Sequence, residues 1–152
     1  GHGNSRFDPA PGKPNSIGPG KRPLDNMCPT IVLQGGRPVL SIGAVGGRRI
    51  PNALFQVLMK LFEDGSSLEE AVTDPRLHTE GGMLVRAEAG RPESEINYLK
   101  QIGYTIGKPE ICWVAVAQID PTKPGRPTVG VADFGATRPA AALRNPHPAT
   151  TK

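Results

Sequence analysis

No helix can cross the first 24 residues, because ten of them are Gly or Pro. The closing stretch, residues 138–152, carries Pro139, Pro146 and Pro148 and no apolar period beyond Ala140-Ala-Ala-Leu143. Three segments follow: an irregular lead-in over residues 1–29, an α/β core over 30–137, and a disordered tail over 138–152. Gly (19) and Pro (17) together are nearly a quarter of the 152 residues, so the buried core must come from the middle of the chain.

Inside that middle the apolar spacing is regular. Residues 30–34 (Thr-Ile-Val-Leu-Gln) form a β-branched run, Gly35-Gly36 a hairpin turn, and residues 38–42 the returning strand. Residues 43–47 (Gly-Ala-Val-Gly-Gly) read as a glycine-rich turn into the clearest helix of the chain. Pro51 stands near the start of that helix, and Leu54, Val57, Leu58, Leu61 and Phe62 share one face up to Gly65. Ser67-Leu-Glu-Glu70 is a capping box for a short helix that Asp74-Pro75 stops. Beyond it, residues 83–88 predict a strand, 92–101 a helix and 104–106 a short strand. The apolar run 112–119 predicts a central strand covered on both faces, a hairpin turn occupies 120–125, and residues 128–132 pair back. The order ββααβαβββ predicts an α+β fold, a mixed sheet with helices on at least one face.

Composition removes several function classes. The net charge is +4, but the basic residues are scattered and aromatics are only 5%, which argues against nucleic acid. No run is long enough for a membrane span, so no membrane partner is expected. Cys28 and Cys112 lie far apart and read as two buried thiols rather than a disulfide. His2, His78 and His147 have no metal-ligand spacing, and neither a metal nor a cofactor is expected. The chain starts at Gly1 with no apolar run behind it, and this leaves its compartment open.

Two loops can carry chemistry. The main-chain N–H groups of Gly46 and Gly47, between a strand and a helix, can face an oxyanion or a phosphate; a plain strand-to-helix turn would use the same glycines. Neither nucleotide fingerprint fits. The G-x-G-x-x-G spacing fails, and around Gly20-Lys21 an Asn15 and an Arg22 stand where a phosphate loop needs Gly and Ser or Thr. Asp25-Asn26, between Pro23 and Pro29, sits on a stiff loop that can hold polar groups ready for a ligand or close an ordinary Asx turn. Asp133-Phe-Gly135 copies the metal-binding tripeptide of kinases without any other kinase element. No Ser or Cys here has the setting of a nucleophile.

Several of these pieces occur together in one known family. Pro14-Asn-Ser-Ile-Gly-Pro-Gly-Lys-Arg-Pro-Leu24, Met27-Cys-Pro-Thr-Ile-Val32, Gly46-Gly47 with Arg49-Ile50, Glu70-Ala-Val72 and Pro75-Arg-Leu-His78 follow in this order. The chain thus resembles the C-terminal part of the small subunit of γ-glutamyltranspeptidases, over residues 14 to 135. The resemblance implies part of an αββα sandwich of the N-terminal-nucleophile hydrolase type. It implies a precursor that cuts itself to expose a threonine, which attacks a γ-glutamyl amide and passes the acyl group to water or an amine, as in glutathione metabolism. Gly46 and Gly47 would then supply the oxyanion hole as catalytic groups, and residues 25 and 26 would bind substrate. The partners implied are an upstream segment or large subunit of the same precursor and a small amide or peptide substrate, in a periplasmic or extracellular setting.

The departures from the pattern are specific. The Thr-Thr-His-like nucleophile start is absent, so this chain alone is expected to be inactive. Asp25 and Asn26 replace two serines that hold the substrate's α-carboxylate in the family, and a carboxylate at Asp25 repels such a group. A substrate with a neutral or cationic group there fits better. The family's Asp-Pro-Arg is Asp133-Phe-Gly-Ala-Thr-Arg138. Two alternatives remain open from the residues alone: a phosphate- or nucleotide-binding module built on residues 43–47, and a non-catalytic fragment.

Overall fold

The computed structural model describes residues 6–110, 112–119, 127–133 and 141–144. A five-stranded antiparallel sheet runs in the order β1-β2-β6-β7-β8, built from β1 (Thr30–Gln34), β2 (Arg37–Val45), β6 (Trp113–Ile119), β7 (Pro127–Asp133) and β8 (Ala141–Arg144). A second sheet of three strands has the order β3-β4-β5, from β3 (Leu77–Thr79), β4 (Leu84–Ala87) and β5 (Thr105–Gly107). Among the named strands of the described residues, parallel pairing joins β4 and β5, which α3 (Glu93–Gln101) connects as a crossover. The mixed sheet expected from the sequence is therefore two sheets, one purely antiparallel and one mixed.

Helices α1 (Ile50–Phe62) and α2 (Leu68–Thr73) bury one face of the large sheet. Ile50, Ala53, Leu54 and Val57 of α1 and Leu68, Ala71 and Val72 of α2 pack with Leu40, Ile42, Cys112, Val114 and Val116. Leu58 and Leu61 pack partly against this core, whereas Phe62, at the frayed end of the apolar stripe, stays exposed. A bulge in β2 sets two successive side chains inward: Val32 pairs with Leu40 and Leu33 with Pro38, so Val39 is the extra residue, and both Val39 and Leu40 are buried. Ser67 caps α2 by accepting from the Glu70 N–H while Glu70 Oε2 accepts from the Ser67 N–H at 2.9 Å. That closes the box seen in the sequence.

Three sequence expectations change, and one unpredicted strand is added. The strand β6 lies centrally between β2 and β7, but it is covered on one face only: Cys112, Val114 and Val116 are buried while Trp113 and Ala115 are exposed. A run of apolar residues cannot reveal this, because both faces of β6 are apolar. Residues 43–45 belong to β2, since the ladder with β6 continues to the Val45–Trp113 pair. Only Gly46 and Gly47 are left for the turn. Leu77–Thr79, too short to predict, is a strand because it pairs with β4. Residues 141–144, expected within a disordered tail, form β8 against β7. The hairpin turn at 120–125 and Phe134-Gly135 lie outside the described residues.

The uncovered face of the large sheet is apolar. Ile31, Leu33, Val45 and Trp113 are exposed on it, and Val45 and Trp113 are direct cross-strand neighbours. Among the described residues no helix is long and apolar enough to cross a membrane.

Two outcomes test this packing in the complete protein. Leu54→Ala, at a site 2% exposed, is expected to lower the unfolding free energy by about 2–5 kcal/mol in denaturant titrations. Ser67→Ala is expected to cost about 1 kcal/mol near neutral pH. The hydrogen bond from the Ser67 hydroxyl is the first cause holding the Glu70 carboxyl below its ordinary range, so the bond contributes above that range and fades as acid protonates Glu70. The Ser67→Ala deficit should therefore shrink as pH falls through the carboxylate range.

Candidate functional site

The chain leaves the large sheet at Val45 and enters α1 through two glycines and a single 3-10 turn, Gly47–Arg49. Gly46 is obligatory on steric grounds. A Cβ there would lie 2.7 Å from Cys112 Sγ, 3.0 Å from Cys112 Cβ and 3.1 Å from Cys112 Cα. Gly47 is obligatory on conformational grounds, with φ at 62°. The Gly46 carbonyl accepts from the Arg49 N–H at 3.3 Å, and the Gly47 carbonyl accepts from the Ile50 N–H. Among the described residues, neither the Gly46 nor the Gly47 N–H donates to a main-chain acceptor. Two adjacent donors at a helix entrance can hold negative charge that develops on a carbonyl oxygen.

Residues 25–29 reach the same end of the sheet. Thr30 pairs with Ile42, so the antiparallel register carries the preceding residues toward Val45 and Gly46. Asp25 is exposed and its Oδ1 accepts from the Met27 N–H at 3.0 Å, an Asx turn between Pro23 and Pro29. Asn26 is half-buried, and its Nδ2 is buried without a hydrogen-bond partner among the described residues. Such a donor is costly to leave unmade and suits a ligand acceptor. Both predicted loops thus lie toward one end of the large sheet. Cys28, expected to be buried, is exposed on this loop, while Cys112 is buried; both are free thiols.

A third element joins them. The Arg6 guanidinium Nη2 lies 3.6 Å from where a Cβ on Gly47 would sit. Its backbone is tied down, since Asn15 Nδ2 donates to the Arg6 carbonyl at 2.6 Å and the Asp8 N–H donates to the Asn15 carbonyl at 2.9 Å. No local pattern marks Arg6, because its neighbour is 41 positions away.

Polar struts brace the residues that follow the glycines. Arg48 Nη1 pairs with Glu80 Oε2 at 2.9 Å, and that hydrogen bond is the first cause holding the Glu80 carboxyl below its usual range. Arg49 pairs with Glu110, whose other oxygen is 3.3 Å from Arg86 Nε. Asn52 Nδ2 donates to the Thr79 carbonyl at 2.8 Å and to His78 Nδ1 at 2.9 Å. An amide that donates to a carbonyl must present its nitrogen, so Nδ1 is the acceptor and the ring proton sits on Nε2, 3.7 Å from Glu80 Oε1. Arg76, only 7% exposed, donates to the carbonyls of Val72 (3.0 Å) and Cys112 (3.1 Å) beside the carboxylate of Glu88. Arg76 and His78 belong to the Pro75-Arg-Leu-His78 motif. Their partners Asn52, Glu80 and Glu88, and the Glu110 that pairs with Arg49 and Arg86, had no signal in the sequence. Among the described residues no group of His, Cys, Asp or Glu could hold a metal ion.

Comparison with known proteins converges on one family. The family described as gamma-glutamyltranspeptidase matches residues 2–143. The glutathione hydrolase proenzyme of Bacillus subtilis (strain 168) is 37% identical over 101 residues, 66% of this chain and 17% of that protein. The acylase ACY 1 proenzyme of Pseudomonas sp. (strain SE83) is 43% identical over 83 residues, 55% of this chain and 15% of that protein. Among solved structures, a mutant γ-glutamyltranspeptidase of Helicobacter pylori superposes with a TM-score of 0.73 at 28% identity, over 95% of this chain and 78% of that one. The chain thus spans about a sixth of the length of the curated relatives it matches.

The contact between Gly46 and Cys112 is testable apart from any chemistry. Gly46→Ala is expected to destabilise the complete protein by about 1–3 kcal/mol, as overpacking does. Adding Cys112→Ala should recover part of that loss, because it removes the nearest of the three clashing atoms. Thermal unfolding of the two variants and their combination measures the coupling.

Proposed function

The chain belongs to the γ-glutamyltranspeptidase family, and on that premise we propose that it supplies the oxyanion hole and substrate loop of an amide-cleaving N-terminal-nucleophile hydrolase or acyltransferase. The attacking threonine comes from an upstream segment of the same precursor. The observation that carries this reading is the turn at Gly46 and Gly47: two adjacent N–H donors with no main-chain acceptor among the described residues, at the sheet end that residues 25–29 also reach.

The chemistry follows from that geometry. The threonine Oγ attacks the amide carbon, and its proton passes to the threonine's own free amine. The carbonyl π bond opens and negative charge collects on its oxygen, facing the N–H groups of Gly46 and Gly47. When the tetrahedral centre collapses, the C–N bond breaks and the amine leaves with the proton. The ester that remains is resolved by water, giving an acid, or by an acceptor amine, giving a new amide. Asn26 Nδ2 is suited to accept the burden of orienting a substrate carbonyl or carboxamide, and Asp25 disfavours a carboxylate at its own position. The names of the relatives, a glutathione hydrolase proenzyme and an acylase proenzyme, support a processed precursor and an amide substrate.

The exposed apolar face of the large sheet is where the upstream segment would pack, with Ile31, Leu33, Val45 and Trp113 at the contact. In the relatives' fold class a second sheet lies against the first.

The decisive comparison is this chain alone against the chain preceded by a segment bearing the threonine, both assayed for release of an aromatic amine from an acyl anilide. Activity is expected only in the longer protein, and replacing its threonine by alanine should abolish it. Turnover by the 152-residue chain alone would refute the assignment.

A further inference from the structure

Residues 25 and 26 present two polar groups that the fold leaves unmatched. Asp25 is exposed, and its Oδ1 is fixed by accepting from the Met27 N–H at 3.0 Å. Its charge has no counterion: among the described residues no cation lies within ion-pair distance of it, and Arg6, set beside Gly47, makes no pair with it. The next residue, Asn26, is half-buried, and its Nδ2 is a buried donor with no hydrogen-bond partner among the described residues. Leaving such a donor unmade costs free energy that a ligand acceptor would recover. Pro23 and Pro29 restrict the backbone on either side, so the charged acceptor and the neutral donor stay where the loop puts them.

The two groups together define the chemistry that fits. A carboxylate only accepts hydrogen bonds; it would satisfy Asn26 Nδ2 but meet the charge of Asp25. An ammonium only donates; it would suit Asp25 and leave Asn26 Nδ2 unmade. A carboxamide does both, since its NH2 donates to a carboxylate while its oxygen accepts from an amide. We propose that residues 25 and 26 form a subsite for an uncharged carboxamide on the acyl group of the amide substrate, with Asp25 accepting from its NH2 and Asn26 Nδ2 donating to its oxygen. The inference rests on the oxyanion role of Gly46 and Gly47, which puts the scissile carbonyl at the end of the sheet toward which residues 25–29 also run. The acyl group is retained through both halves of the transfer, whereas the amine leaves after the first, so a stiff subsite serves the acyl group. The substrate class is therefore an acyl chain that carries a second carbonyl in amidated form. That carboxamide keeps its own C–N bond throughout, and only the scissile amide is broken.

The experiment uses the complete, processed protein with two anilides that differ only at the far end of the acyl chain, glutaryl with its carboxylate and glutaramoyl with the matching carboxamide. Pentanamide and pentanoate serve as free ligands, followed by NMR. The wild-type protein is expected to favour the glutaramoyl anilide in kcat/KM by about tenfold or more, the worth of one hydrogen bond to a charged group. Asp25→Asn keeps an oxygen for the Met27 N–H and removes the charge, so it is expected to lower that ratio by about tenfold, and Asp25→Ser should do the same. A wild-type protein that cleaves both anilides equally, or the glutaryl one faster, overturns the carboxamide subsite and leaves amide cleavage standing. This result needs no variant to fold. A preference for glutaramoyl that both Asp25 variants leave unchanged also overturns the proposal. With neither anilide cleaved, binding of pentanamide without binding of pentanoate upholds the subsite and removes the amide-cleaving reading, and any other binding result overturns the subsite as well.

Discussion

The approach of Gly46 to Cys112 governs the geometry of the site. A Cβ at residue 46 would have to occupy space within 3.1 Å of three Cys112 atoms, backbone included. Because that space is filled, β2 can leave the sheet only through a glycine, and α1 begins at one defined place. Cys112 is held in turn: Arg76 donates to its carbonyl at 3.1 Å and to the Val72 carbonyl of α2 at 3.0 Å. A buried guanidinium whose partners are carbonyls and a carboxylate is expensive to disturb, since loss of a partner strands the rest in a poor dielectric. Sheet, turn and second helix are thus one mechanical unit, and that unit sets the N–H groups of the turn, which donate to no main-chain acceptor among the described residues.

The relative size of the contributions separates stability from positioning. The Arg48–Glu80 pair is exposed, and ion pairs of that kind add little to stability. A single leucine in the α1 core is worth about 2–5 kcal/mol. The struts from Arg48, Arg49 and Asn52 to the small sheet therefore add little to folding. What they do is tie three successive parts of the glycine turn and the start of α1 to Glu80, to Glu110 and to strand β3. The oxyanion role proposed for the turn would benefit from such ties, because donors that need not reorganise stabilise charge more strongly than donors that must.

Burial of the large sheet is one-sided among the described residues. Helices α1 and α2 cover one face, and the other presents Ile31, Leu33, Val45 and Trp113 to solvent. Apolar area of this kind is stable only when something covers it. The same face explains why β6 carries apolar side chains in both directions although only alternate ones are buried here. The sequence pattern of β6 belongs to a sandwich; the described residues contain one side of it.

Much of the architecture is legible in the sequence by itself, because it rests on contacts a few residues apart. The hairpin at Gly35-Gly36, the apolar stripe and Pro51 of α1, and the Ser67–Glu70 capping box are short-range devices, and each forms where its spacing predicts. The family is legible too, from the motifs of residues 14–32, 46–50 and 70–78 taken together. Tertiary structure decided the remainder. That Gly46 is fixed by Cys112, that Leu77–Thr79 is a strand, that residues 141–144 extend the sheet, and that Arg6 stands beside Gly47 all depend on partners far along the chain. The reason is physical: local propensity records what a residue prefers among its neighbours in sequence, whereas steric exclusion, ladder pairing and charge placement are set by whatever the fold brings against it.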